Sequence, residues 1–177
     1  MKIAIEYTPN PNARKFILGN DITTGSKQFN NAQEAEKDVL ASRLFDLEGV
    51  ESVFYLSNFI TITKSETGKS WATLENEAKK IIEENINEVI KIADNNENKD
   101  LDENLKKIEE ILNETVRPGL AMDGGGVEVV ELTTDMKLYV KYHGACGGCP
   151  SSTFATLQAI TFILKENFNE AIEVEVV

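Results

Sequence analysis

The sequence predicts an α+β protein of two small domains, and three observations predict it. Apolar residues recur with a strand's alternation in some segments and a helix's spacing in others, so both element types are present throughout. Residues 93–100, Ala-Asp-Asn-Asn-Glu-Asn-Lys-Asp, are polar and aperiodic, and read as a linker between a domain at 1–92 and a domain at 101–177. The second domain reads as a helix-strand-strand-helix-strand layer with a C-x-x-C loop between its second strand and second helix. A chain of 177 residues accommodates two such units, each with a modest core.

In the first domain, residues 2–8 place Ile3, Ile5 and Tyr7 on one face of a half-buried strand. Pro9-Asn10-Pro11-Asn12 turns the chain into a second strand at 14–18, stopped by Gly19-Asn20, and the two strands pair as a hairpin. Asn31 and Glu34 have the spacing of a capping box. They open one amphipathic helix carrying Ala35, Val39, Leu40, Leu44 and Leu47 as far as Gly49. Residues 50–56 and 59–64 are rich in β-branched and aromatic side chains and form a second hairpin about Ser57-Asn58. Ser70 caps a long helix whose stripe runs Trp71, Leu74, Ala78, Ile81, Ile82, Ile86, Val89 and Ile90, with Trp71 as a core anchor.

In the second domain, Asp100 and Glu103 open a helix with Leu101, Leu105, Ile108, Ile111, Leu112 and Val116 on one face, ended by Pro118-Gly119. Asp123-Gly124-Gly125-Gly126 reads as a loop, either packed beside the cysteines or a simple helix-to-strand connection. Strands at 127–132 and 137–142 meet around Thr134-Asp135, and the second runs into Gly144-Ala145-Cys146-Gly147-Gly148-Cys149-Pro150. A helix at 151–167 follows, burying Phe154, Leu157, Ile160, Ile163 and Leu164, and alternation in Ile172, Val174 and Val176 closes the chain with a strand. There is no internal repeat.

The net charge is −12, of which residues 93–177 contribute −9, with 7 basic and 16 acidic side chains. Such a balance excludes nucleic acid as a partner, because neutralising phosphates needs basic patches. It also opposes docking to anionic membranes, and no apolar run is long enough to span a bilayer. The amino terminus enters a strand pattern rather than a signal peptide, which predicts a cytoplasmic protein. There two cysteines serve metal or redox chemistry rather than a disulfide scaffold.

Two intervening residues let a chain fold back so that Cys146 and Cys149 point both sulfurs at one soft metal. Glycine at both middle positions eases that turn, and Pro150 suits the first turn of a helix, placing Cys149 near the helix's positive end. One such pair supplies two ligands where zinc or an iron–sulfur cluster commonly takes four, so a second copy of the chain is the economical source of the others. A dithiol–disulfide centre, zinc bridged between two copies in an interaction module, and an inert cysteine pair stay open on spacing alone. Against the dithiol reading, the pair follows two successive strands rather than a strand–helix–strand unit. No nucleophile–base pair or carboxylate dyad marks an enzyme.

Val116-Arg117-Pro118, Asp123-Gly124-Gly125, residues 127–130 and the extended cysteine motif 144–152 together resemble the NifU C-terminal domain over about residues 101–177. Residues 7–16, Leu44-Phe45, Gly49-Val50, residues 52–54, residues 59–63 and Trp71 resemble the Nfu N-terminal domain, and the combination is that of Nfu-type iron–sulfur proteins. The resemblance implies a carrier or scaffold, not an enzyme. It would bind a [4Fe-4S] cluster bridged between two protomers by Cys146 and Cys149 of each. It would be loaded by upstream cluster-assembly proteins, be a homodimer when cluster-bound, and hand the cluster to client apoproteins. The chain departs from the family at Gly126, where a second aspartate is frequent. It also lacks the further cysteine domains of the larger NifU proteins, so carriage is expected over assembly. Arg117 and His143 are expected to be structural, the latter despite lying three residues before Cys146. The first domain, without cysteine, is left to client recognition or dimer control.

Overall fold

Alternating apolar side chains and tight polar turns produce the first sheet. In a computed structural model that describes residues 3–89, 102–147 and 150–177, the chain divides into two compact units, Met1–Glu97 and Asn98–Val177. The predicted linker at 93–100 lies outside the described residues, as do Ile90, Asp100, Leu101 and Cys149. No described helix is long and apolar enough to cross a membrane.

Strand β1 (Ala4–Tyr7) pairs antiparallel with β2 (Ala13–Ile17), Tyr7 opposite Arg14, which is the expected hairpin. Ile3, just before this edge strand, is buried, but Tyr7 within it is 79% exposed, and the Arg14 guanidinium lies 4.3 Å from its ring centroid. Strand β3 (Ser26–Phe29) was not expected, because Ser-Lys-Gln-Phe carries no alternation. It exists by pairing with β4 (Val50–Leu56), Phe29 opposite Val53. Strand β4 turns through Ser57 (φ +48°) into β5 (Phe59–Lys64) as the sequence indicates, completing the order β1-β2-β5-β4-β3.

The single helix expected between Asn31 and Gly49 is two, α1 (Ala32–Ala35) and α2 (Val39–Phe45). Asn31 caps the first as its spacing suggests, its side chain accepting from the Glu34 amide at 2.9 Å. Asp38 breaks the run because its side chain competes for the backbone: held extended, it accepts from the Ala41 amide at 2.9 Å and caps α2. The same carboxylate accepts from the Tyr55 hydroxyl at 3.1 Å and pairs with Lys27 at 3.0 Å, while only 1% exposed. This start leaves Val39 46% exposed, and Leu40, Ala41 and Leu44 enter the core. Burial, then the Asp38 charge, pushes the Tyr55 phenol well above its usual range, so it stays a donor. Asp38→Ala removes a cap and strands that donor; a loss of about 3 kcal/mol in urea unfolding is expected. Helix α3 (Trp71–Val89) buries Leu74, Ala78, Ile82 and Ile86. Trp71 packs half-buried against this core, its indole N–H donating to the Pro11 carbonyl at 2.9 Å.

In the second unit, α4 (Glu103–Thr115) begins after Asp102, whose side chain makes no capping bond. Helix α4 ends before Pro118-Gly119 as the sequence indicates, but those two residues lie in the first turn of a further helix, α5 (Arg117–Met122), where proline's missing N–H costs nothing. Strand β6 (Gly125–Leu132) pairs antiparallel with β7 (Lys137–Gly144), and β8 (Glu173–Val176) lies parallel to β7 on its other side. Of the predicted glycine loop only Asp123 and Gly124 (φ +76°) turn, since Gly125 and Gly126 already pair with Gly144 and His143. Helix α6 (Pro150–Asn167) is the crossover between the parallel strands β7 and β8; the cysteines do follow two successive strands, as the sequence reads, but the second of these also opens a strand–helix–strand unit that the sequence did not reveal. Ile160 and Leu164 are buried as expected, but Phe154 is 65% exposed. Six residues of helix leave it about 120° around from Ile160.

Candidate metal centre

Strand β7 delivers the cysteine turn to one end of its sheet. Gly144 closes the strand at φ +62°, a conformation that side chains disfavour, and its carbonyl accepts from the Gly147 amide at 3.2 Å. The turn is tied to the start of β6, because the Ala145 amide donates to the Gly124 carbonyl at 3.1 Å. The segment 123–126 thus packs beside the cysteine turn, the first of the two alternatives the sequence left open. Contact here is close enough to dictate residue type. A Cβ at Gly125 would lie 2.4 Å from Cys146 Sγ, 2.8 Å from the His143 carbonyl oxygen and 3.0 Å from Cys146 Cβ. One at Gly147 would lie 3.2 Å from the Tyr142 carbonyl oxygen.

Cys146 is 7% exposed and belongs to the unit's apolar cluster with Tyr142, Val127 and Leu120. Its predicted companion Cys149 and the intervening Gly148 lie outside the described residues, and α6 begins at Pro150 directly after them. Among the described residues no group of three His, Cys, Asp or Glu is gathered to hold a metal.

The neighbours are structural in the way their chemistry dictates. Arg117 donates through Nε to the Val127 carbonyl at 3.1 Å, through Nη1 to the Glu109 carboxylate and to Asn113 at 2.8 Å, and through Nη2 to Glu109 at 3.2 Å. Its planar fork therefore ties α4 to β6 just below the glycine turn. His143 is 5% exposed, and its Nε2 lies 2.9 Å from Glu128 Oε2 on the neighbouring strand. Sequence reasoning passed over Glu128 and Tyr142. Tyr142 follows Leu138 and Val140 in inward alternation and so reads as core, but its hydroxyl is a polar atom at a core position, the one signal that sets it apart.

The Nfu/NifU N-terminal scaffold-protein family matches residues 3–89, and the NifU-like domain family matches residues 108–175, which include the whole cysteine turn. A NifU-like protein of Schizosaccharomyces pombe is 34% identical over 183 residues, covering 95% of this chain and 69% of its own length. The chain belongs to the Nfu/NifU-like iron–sulfur cluster scaffold family. A Drosophila sechellia relative named as a mitochondrial NFU1 iron–sulfur cluster scaffold homolog is 31% identical, with 99% of this chain matching 64% of that protein. A solved NifU-like protein from Saccharomyces cerevisiae aligns with a TM-score of 0.43 at 25% identity, over 50% of this chain and 80% of its own.

For an Nfu-family chain the residues present suit an iron–sulfur cargo. Thiolate is the donor such clusters take, and Cys146 offers one from beside a strand start that carries no Cβ. Within the same cluster the Tyr142 hydroxyl is fully buried and meets no hydrogen-bond partner among the described residues.

Proposed function

We propose that this chain is a carrier that receives a [4Fe-4S] cluster and passes it to client apoproteins. Cys146 and Cys149 from each of two protomers hold the cluster between them. The observation that carries the reading is the side-chain-free contact of Gly125 with Cys146 Sγ in a chain of the Nfu family. The absent side chain lets the β6 backbone lie directly against Cys146 and fix the thiol at the end of the sheet, beside the turn that leads to Cys149. With two thiols per chain and four ligands in a cluster, sharing across a dimer is the simplest stoichiometry.

A carrier must also let go. A cluster held by only two thiolates from each side is open to thiolate exchange with a client's cysteines at the dimer edge. The chain's own residues set the terms: the Gly124–Ala145 hydrogen bond keeps the turn in register, and Arg117 steadies the strand beneath it. No turnover of a small substrate is part of this function.

Anaerobic reconstitution with iron and sulfide tests it. The expected product is a coloured dimer with about two irons and two sulfides per chain, which activates a cluster-requiring apoprotein when mixed with it. A colourless chain that takes up about half a zinc per protomer would identify a zinc-bridged module instead. Reversible cycling of a Cys146–Cys149 disulfide without metal would identify a dithiol redox protein.

A further inference from the structure

A tyrosine hydroxyl seldom lies buried without a partner, because withdrawing it from water forfeits hydrogen bonds that the fold must replace. Tyr142 is 7% exposed and its oxygen is wholly buried, yet no described residue accepts from it or donates to it. It stands on the inward face of β7, opposite Val127, four residues before Cys146 and in the same packed cluster as that cysteine. Phenylalanine would fill the same space without the penalty. The hydroxyl is therefore unexplained by packing.

Its chemical state makes it a donor. A phenol keeps its proton at neutral pH, and so offers an O–H to whatever acceptor reaches it. The sulfur of Cys146, in the same packed cluster, becomes a much stronger acceptor once it carries the negative charge of a metal-bound thiolate or stands beside a cluster sulfide. The partner missing among the described residues is thus supplied by the cargo.

We propose that Tyr142 is a positioning residue for the cargo, its buried hydroxyl donating a hydrogen bond to anionic sulfur at the Cys146 position and so slowing cluster release. This rests on the cluster-carrying function proposed above. Hydrogen bonds to cluster sulfur stabilise the more negative, reduced state, so the same contact raises the reduction potential of the bound cluster. No proton is transferred; the phenol keeps its hydrogen while the sulfur accepts.

Tyr142→Phe removes one oxygen and tests the proposal in the full chain, loaded with iron and sulfide under anaerobic conditions. The cluster-free variant is expected to melt at or above the wild-type temperature, because an unpaired buried hydroxyl has gone. The loaded variant is expected to lose its cluster to a chelator roughly tenfold faster, in line with a charge-assisted hydrogen bond. Its reduction potential should fall, and the iron–sulfur stretching frequencies that shift between H₂O and D₂O in the wild type should cease to do so. Shifts in the terminal modes identify the Cys146 sulfur as acceptor, and shifts in the bridging modes identify a cluster sulfide. A loaded variant with wild-type release, potential and isotope response overturns the proposal while leaving the carrier function standing. A wild-type chain that takes up no cluster overturns both. Should Tyr142→Phe melt below the wild type, Tyr142→Leu is measured beside it, and loss of the isotope response in neither variant overturns the proposal.

Discussion

Cys146→Ser is expected to abolish cluster uptake, leaving a colourless monomer with less than about a tenth of the wild-type iron after anaerobic reconstitution. Serine offers a hard, protonated oxygen where an iron–sulfur cluster takes a soft thiolate, and under the sharing proposed above the substitution removes one ligand from each protomer at once. A dimer built from two such chains retains at most two of four thiolates. The fold should survive, because Cys146 is one small side chain among the thirteen described buried residues of the apolar cluster. Replacing it with a hydroxyl costs about 1–2 kcal/mol at a buried site. A thermal melt run beside the iron assay separates loss of a ligand from loss of structure, and Cys146→Ala, which buries no polar atom, should load as poorly while melting closer to the wild type. A folded Cys146→Ser chain that still loads and dimerises would remove Cys146 from the ligand set.

Gly125→Ala should damage the site nearly as much without touching a ligand. The new methyl would stand 2.4 Å from Cys146 Sγ and 2.8 Å from the His143 carbonyl oxygen. Rotating the sulfur away relieves only the first clash. The second is with backbone in the paired strand, so the end of the β6–β7 ladder must open, where Gly125 faces Gly144. Overpacking of this kind costs about 1–3 kcal/mol, and a displaced thiolate should lower the yield of loaded cluster by about tenfold or more. Gly119→Ala is the matched control. It lies in α5 with nothing within 4 Å of the added methyl, so uptake should be unchanged and helix stability equal or higher. If Gly125→Ala loads like the wild type, the close approach is a packing accident rather than part of the site.

Most of the fold could be read from local pattern, and its exceptions have particular causes. The hairpins at β1–β2 and β4–β5 are written in alternation and turn residues, and α3 in a stripe of Leu74, Ala78, Ile82 and Ile86. The split of α1 from α2 was hidden because apolar spacing continues through Asp38. What ends the helix is a carboxylate whose other partners, Tyr55 and Lys27, come from different strands. Strand β3 was hidden for the opposite reason, since an edge strand can be specified by its neighbour's hydrogen bonds and needs little apolar pattern of its own. Phe154 misled because it shares the composition of α6's buried face but not its angle.

At the candidate site the division is similar. Two cysteines two residues apart, the glycines between them and the proline after them are legible because metal-ligand chemistry acts through spacing along the chain. The order of the motifs likewise identified a family to which the chain proves to belong. Only tertiary structure decided that Gly125 and Gly126 are strand residues, that Gly125 lies against Cys146 Sγ, and that Arg117 joins α4 to β6. It alone revealed a buried Tyr142 hydroxyl without a described partner. Periodicity reports which face of an element is apolar, whereas a steric limit or an unmet hydrogen bond depends on atoms from segments distant in sequence, and those meet only when the sheet closes.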